Sequence, residues 1–257
     1  MKILIDVGNT RLKLATLDGQ SMTFVAAIAI ESTEQLQREL QAAIRSRDIR
    51  AQTCVAVSVG SPEINLAVQA ALAPTPVEWV SPSSQAAGVT NSYPDPSQLG
   101  ADRWVAMIGL TRHFPQPHPP VVLASFGTAT TVDTLGPENT FRGGLILPGV
   151  RLMQDALANG TARLPNATGT LAEFPTNTAS AITSGIASAQ VGAVMRQMDI
   201  ARQAYEQPPL VCVTGGALPT IREELNRTIE SASLHELAHV VLDGLAVLAG
   251  QGKSPAS

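Results

Sequence analysis

Aromatic side chains make up only 4% of this 257-residue chain, so a core has to come from Ala, Val, Leu and Ile. Cysteine is nearly missing. Cys54 and Cys212 each sit in an apolar, strand-like run and read as buried thiols of a reducing compartment. There is no basic excess: the net charge is −4 and no Lys/Arg stripe is visible, which argues against a nucleic-acid partner. No apolar run approaches the length of a membrane span. No leader pattern precedes the first strand, since Met1-Lys2 leads directly into it, and the expectation is a soluble, cytoplasmic protein with no membrane partner. No G-x-x-x-x-G-K-[ST] run occurs, which excludes a P-loop. No G-x-G-x-x-G follows a strand, which weighs against a dinucleotide fold.

What is present is 44% hydrophobic residues, enough for a sizeable core, in a chain long enough for one large domain or two ordinary ones. The organising stretch is Ile3 to Ala15. An apolar strand ends in Asp6-Val7-Gly8-Asn9-Thr10, and a second strand alternates Leu12 and Leu14 with Arg11 and Lys13, a hairpin pattern. A carboxylate at the tip of a buried strand is costly unless a cation pairs with it. Gly8 permits close backbone approach, and the amides of Asn9 and Thr10 can face an anion. The turn therefore reads either as a grip for phosphate and metal or as an ordinary hairpin turn.

Along the chain, residues 22–30 continue a three-strand meander, 32–47 form a helix with Leu36, Leu40 and Ile44 on one face, 53–59 form a buried strand, 63–72 a helix and 77–80 a short strand. Residues 81–99 are a long Ser/Pro/Asn/Gly loop holding Tyr93, and a helix begins near Leu99. Pro115, Pro117, Pro119 and Pro120 mark a stiff linker that carries His113 and His118 as solvated residues. The second half opens as the first does, with strand, small-residue turn and strand over residues 121–133, and a third strand at 141–147. Gly127 matches Gly8 and Ser125 matches Asp6, a weak internal symmetry suggesting two similar α/β halves with a cleft between them. A helix after Pro148-Gly149, mostly loop over 161–177, an Ala-rich helix at 179–200, a strand at 210–213 with a Thr214-Gly215-Gly216 turn, and helices at 220–229 and 234–250 complete the chain, with a frayed tail from Gln251 to Ser257.

Three glycine turns, at Gly8, Gly127 and Gly215-Gly216, follow apolar strands. Ligands gather at strand ends in open α/β sheets, so three such turns suggest a nucleotide held by backbone amides. Asp102 is the candidate base: it stands near a helix start, where negative charge is favoured. Arg103 beside it can clamp a carboxylate or phosphate. The bland reading is a helix-start Asp with a surface Arg. Arg142, Asp133 and Asp155 remain without a role.

These residues carry a resemblance. Asp6-Val7-Gly8-Asn9-Thr10, Gly100-Ala101-Asp102-Arg103, the Gly127 to Asp133 run, Gly143-Gly144 with Pro148-Gly149, and Asn177-Thr178 with Ser184-Gly185 occur in this order over nearly the full chain. Together they resemble the type III pantothenate kinases, the family that includes the Bvg accessory factor proteins. The resemblance implies the α/β fold of acetate and sugar kinases, heat-shock chaperone ATPases and actin. Its two ribonuclease H-like halves would be residues 1–114, with the phosphate turn, pantothenate loop and base, and residues 115–257, with the second phosphate turn, adenosine segment and dimer helices. It implies a homodimer that transfers the γ-phosphate of ATP to pantothenate, the first step of coenzyme A biosynthesis. It further implies that Asp6, Val7, Gly8, Asn9, Thr10, Arg11, Leu12, Lys13 and Thr128 bind ATP, with Asp6 holding magnesium (Mg2+) through water. Asp102 would be the general base. Tyr93, Gly100, Ala101, Asp102, Arg103 and Thr178 would bind pantothenate, Thr178 across the dimer interface.

One position departs from the family. Ser125 stands where the resemblance calls for the aspartate that binds a monovalent cation, potassium (K+) or ammonium (NH4+). A hydroxyl is a poor substitute for a carboxylate, so the expectation is a weakened, rearranged or missing ion site. Two other readings compete. A nucleotide-binding accessory protein of the same fold would lack kinase activity, a reading that Ser125 favours. His235-Glu236-Leu237-Ala238-His239 matches H-E-x-x-H, the zinc metalloprotease signature when it lies on a helix. No further His or Glu follows His239, so a third ligand is missing.

Overall fold

The computed structural model describes residues 1–161, 164, 168–230 and 233–251. They form two compact units: Met1–Gln116 together with the segment from His239 onward, and Pro117–Ala238.

In the first unit β1 (Lys2–Val7), β2 (Arg11–Asp18) and β3 (Ser21–Ala29) make an antiparallel meander, and β4 (Cys54–Ser58) and β5 (Val77–Trp79) add in parallel beside β1. The strand order is β3-β2-β1-β4-β5. Side chains alternate across a strand, so β1 serves both faces. Ile3, Ile5 and Val7 pack with Leu12 and Leu14 under α1 (Thr33–Ser46) and α2 (Pro62–Leu72). Leu4 joins Ala15, Leu17, Val55 and Val57 against α3 (Ala101–His113) and α7 (Val240–Gly250). Asp6 and its rung partner Lys13 share the parity of Leu4. The strand period therefore aims both charged groups at the face covered by α3 and α7. α1 starts at Ser32, whose side chain accepts a hydrogen bond from the Gln35 amide.

The loop at 81–99 contains structure that its composition conceals. β6 (Gln85–Ala86) and β7 (Val89–Asn91) form a hairpin around a two-residue turn, with Ala87 at φ +51° and Gly88 at φ +77°, and a short 3-10 turn spans Pro96–Gln98.

The second unit repeats the plan of the first. β8 (Val121–Phe126), β9 (Ala129–Leu135) and β10 (Thr140–Pro148) are antiparallel neighbours, and β11 (Leu210–Thr214) and β12 (Leu234–Glu236) add in parallel on the other side of β8. The order β12-β11-β8-β9-β10 thus corresponds strand for strand to β5-β4-β1-β2-β3. One face of β8, with Val122, Ala124 and Phe126, packs on α5 (Thr178–Tyr205) and α6 (Leu218–Thr228), through Ile186, Val194, Ile221 and Leu225 among others. α4 (Val150–Gly160) starts at Gly149.

Several sequence expectations need correction. The terminal helix begins at Val240, not at residue 234, because Leu234–Glu236 pairs in register with β11 as an edge strand. α7 belongs with the first unit, since Leu242, Leu245 and Ala246 close the second face of that sheet. His113 is exposed as expected but is a helix residue, not a linker residue, and His118 is not solvated. His113 ends α3 and meets Asp243 at 2.9 Å; His118 is buried, with ring contacts to Pro119 O and Asn139 Oδ1. Part of the 161–177 stretch and the tail 252–257 lie outside the described residues.

Candidate active site

The first turn closes tightly. The Gly8 amide donates to the Arg11 carbonyl at 3.0 Å, and the Thr10 carbonyl accepts from Ile30, tying the turn to the end of the meander. Val7 and Leu12 are buried beneath it, while Asn9, Thr10 and Arg11 are exposed at its tip. Asp6, 6% exposed, meets Lys13 Nζ at 3.3 Å. Burial pushes the Asp6 carboxyl above its ordinary range. Lys13 opposes that rise, and the negative charge of Asp102 adds to it. The packing agrees with this: Ala101 and Val105 of α3 lie on the face of β1 that Asp6 shares with Leu4, so the tip of β1 and the head of α3 belong to one side of the first sheet.

Asp102 is the second residue of α3, whose N-cap is Gly100. Its Oδ1 accepts from the Arg103 amide at 2.8 Å, so the side chain folds back over the helix start. A methyl at Gly100 would stand 2.9 Å from that oxygen, which explains why glycine precedes this aspartate. Arg103 is buried, and its Nη1 donates to Tyr93 Oη at 3.3 Å. Tyr93, Gly100, Ala101, Asp102 and Arg103 thus come together with Asp6 and Lys13 in the first unit.

The second unit gathers the other two glycine turns. The Gly127 amide donates to Ala129 O, and the Thr128 carbonyl accepts from Gly149. Gly149 lies flush on the backbone of Gly127 and Thr128, and Gly215, at φ +108°, lies flush on Phe126; neither leaves space for a Cβ. The register Thr214↔Ser125 places the Gly215-Gly216 turn beside the Gly127 turn. Gly144 is equally closed in, by the Asp133 carboxylate and the Val132 carbonyl.

The family model for type III pantothenate kinase matches residues 2–200. The chain is 43% identical over 267 residues to the type III pantothenate kinase of Bordetella pertussis, with 98% of each chain covered. This chain belongs to the type III pantothenate kinase family. Another relative of the same description, from Laribacter hongkongensis, is 40% identical over 250 residues, covering 97% of this chain and 98% of its own. Two solved structures share the fold. One is a Campylobacter jejuni protein described as a Baf family transcriptional activator, with TM-score 0.57, 17% identity and 97% and 98% of the two chains covered. The other is component A of the Acidaminococcus fermentans (R)-2-hydroxyglutaryl-CoA dehydratase, with TM-score 0.55, 14% identity and coverage of 97% and 96%. The chain thus has the α/β fold of these two solved proteins.

Within this pantothenate kinase fold the first unit carries a charged rung, Asp6 opposite Lys13, at the tip of its central hairpin. At the corresponding rung the second unit has Ser125 between Thr131 and Thr214, a row of three neutral hydroxyls across β9, β8 and β11. Thr178, the first residue of α5 after its Asn177 cap, is exposed in the second unit. It rims a mostly apolar cavity of about 890 Å³, lined by Met153, Leu157, Ile182 and Ile186 among others. The hydroxyls of Ser180, Thr183 and Ser184 on α5 accept the amides of Thr170, Gly169 and Ala172 and hold the preceding loop on the helix.

The metalloprotease reading fails on geometry. His235 and Glu236 are strand residues of β12, Glu236 pairs with Arg222 at 2.6 Å, and His239 is the residue before α7, so the two histidines share no helical face. Among the described residues no group of three His, Cys, Asp or Glu side chains is placed to hold a metal. The sequence reading also overlooked Asn91, a buried carboxamide two residues before Tyr93; its nearness to that tyrosine was the available signal.

Proposed function

We propose that this chain transfers the γ-phosphoryl group of ATP to the terminal hydroxyl of pantothenate, with Asp102 as general base. The observation that carries this reading is geometric: the head of α3, with Ala101 beside Asp102, packs on the face of β1 that Asp6 shares with Leu4. Phosphoryl transfer asks the protein mainly for alignment and charge neutralisation. The amides of Asn9 and Thr10, beyond the Gly8 turn, and the ammonium of Lys13 face phosphate oxygens, and Thr128 contacts ATP from the second glycine turn. Thr214 to Gly216 takes the adenosine. A buried carboxylate beside a second carboxylate is a donor set suited to a divalent cation. Asp6 would therefore hold magnesium, through water, and the ion supplies neutralisation of phosphate charge when bound. Asp102, at the positive end of a helix, orients the alcohol and takes its proton. Arg103 and Tyr93 clamp pantothenate, which is itself an anion.

A coupled assay of ADP release that requires both substrates tests this. Asp102→Asn should lower turnover by about two to four orders of magnitude; near-wild-type turnover would remove Asp102 from the role. Because Ser125 sits in a neutral row, the rate should be the same with added potassium, with ammonium and with neither. A sharp rise with potassium that Ser125→Ala abolishes overturns that part.

The protein acts in the cytoplasm, consistent with two free thiols, Cys54 and Cys212, that burial pushes up to about 12. It works as a homodimer. In support, the apolar cavity on α4 and α5 lies in a unit whose exposed large hydrophobics are Ile146, Leu152, Phe174 and Ile200, with Phe174 87% exposed.

A further inference from the structure

We propose that Asn91 is a positioning residue for the substrate site: its carboxamide ties the amide of Tyr93 to Ser83, at the base of the β6–β7 hairpin. This rests on the reading of Tyr93 and Arg103 as substrate-binding residues.

Asn91 is the last residue of β7 and is 7% exposed. Its Oδ1 accepts the Tyr93 amide at 3.0 Å, and its Nδ2 donates to the Ser83 carbonyl at 3.2 Å. Its own amide donates to Ser84 O at 2.9 Å. The two side-chain partners are a backbone N–H and a backbone C=O, which fixes the orientation of the amide. A flipped amide would set NH2 against N–H and oxygen against oxygen. No other side chain of this length offers one acceptor and one donor together. Aspartate keeps the acceptor and loses the donor, leucine loses both, and glutamine is one methylene too long.

The consequence passes directly along the chain. Ser92, Pro94 and Asp95 are exposed, so the path of the loop around Tyr93 is set from Asn91 on one side and the Pro96–Gln98 turn on the other. With the Tyr93 amide held, the Tyr93 hydroxyl reaches Arg103 at 3.3 Å, next to Asp102 at the head of α3. A site residue on a loop needs a locked support to hold its geometry, and Asn91 is that support.

The test uses the full chain in the ATP- and pantothenate-dependent assay, with separate KM values for each substrate. Asn91→Ala should raise the pantothenate KM by about tenfold, leave the ATP KM unchanged and move kcat less than about twofold. Asn91→Asp should show a raised pantothenate KM at pH 8 that recovers selectively towards pH 5, because the protonated carboxyl regains a donor for Ser83 O. In a cycle with Tyr93→Phe, the double variant should be little worse than the poorer single one. An unchanged pantothenate KM in Asn91→Ala, or an equal rise in both KM values, overturns the proposal. Should Asn91→Ala fail to fold, the absence of pH recovery in Asn91→Asp overturns it instead. If Tyr93→Phe leaves the pantothenate KM unchanged, the substrate-site reading itself fails and takes the proposal with it. If Tyr93→Phe raises that KM and Asn91→Ala does not, the reading stands and only the role of Asn91 falls.

Discussion

Asp6 holds its negative charge at a cost. Burial and the neighbouring Asp102 disfavour the carboxylate by more than Lys13 offsets, so its pKa in the folded protein lies above the unfolded value. The native state therefore binds this proton more tightly than the unfolded chain does. Below roughly pH 4 both states hold the proton and the cost vanishes; it appears as pH rises through the folded value and is complete above it. Asp6→Asn should accordingly raise Tm at pH 7–8, by about 2–4 °C for each kcal/mol gained, lose that advantage near pH 4, and abolish kinase activity. A thermal melt series across pH reads the first two effects and the coupled assay the third. A lower Tm at pH 8 in Asp6→Asn would show that the Lys13 contact outweighs desolvation. The carboxylates at 6 and 102 were both legible from their places at a strand tip and a helix start. Asn91 was not, because a buried amide bonded to two backbone groups leaves no periodic trace in the sequence.

At the scale of elements, the contact that places the base is between α3 and α7. Gly109 lies against the Val240 carbonyl and Gly244 against the Val105 carbonyl, with no space for a Cβ at either. At the far end of α3, His113 and Arg112 meet Asp243, at 2.9 and 3.9 Å. Two helices whose backbones touch cannot slide, so α3 holds Asp102 at one end because α7 fixes it along its length. Gly244→Ala should destabilise the protein by about 1–3 kcal/mol, the usual cost of overpacking, and should lower kcat through displacement of Asp102. Urea denaturation and the kinase assay check these two effects; an unchanged midpoint would mean that α7 shifts freely. The sequence showed both helices as apolar segments. It did not show that one glycine on each marks their crossing, nor that the segment at 234–239 leaves the helix to pair with β11.

The whole molecule repeats one topology twice, and the repeat is functionally uneven. The first unit places the ion pair Asp6–Lys13 at the rung beside its turn, whereas the second has the hydroxyls of Ser125, Thr131 and Thr214. The charged chemistry is therefore concentrated in one unit, and the other contributes backbone turns and an apolar surface. If that surface pairs two copies, Phe174→Asp should convert a dimer to a monomer at micromolar concentration, as read by sedimentation velocity, because a carboxylate buried in an apolar interface is strongly disfavoured. A dimer of undiminished affinity would place the interface elsewhere.

Local patterning in the sequence determined the longer strands, most of the helices, the repeated hairpin opening and the motif order that marks the family, because strand alternation, helical periodicity and turn glycines are short-range properties. Tertiary structure alone decided that α7 closes the first unit and that the H-E-x-x-H stretch is strand and turn. Each of these depends on which distant backbone atoms supply the missing hydrogen bonds or fill the exposed face, and neighbouring residues carry no record of that.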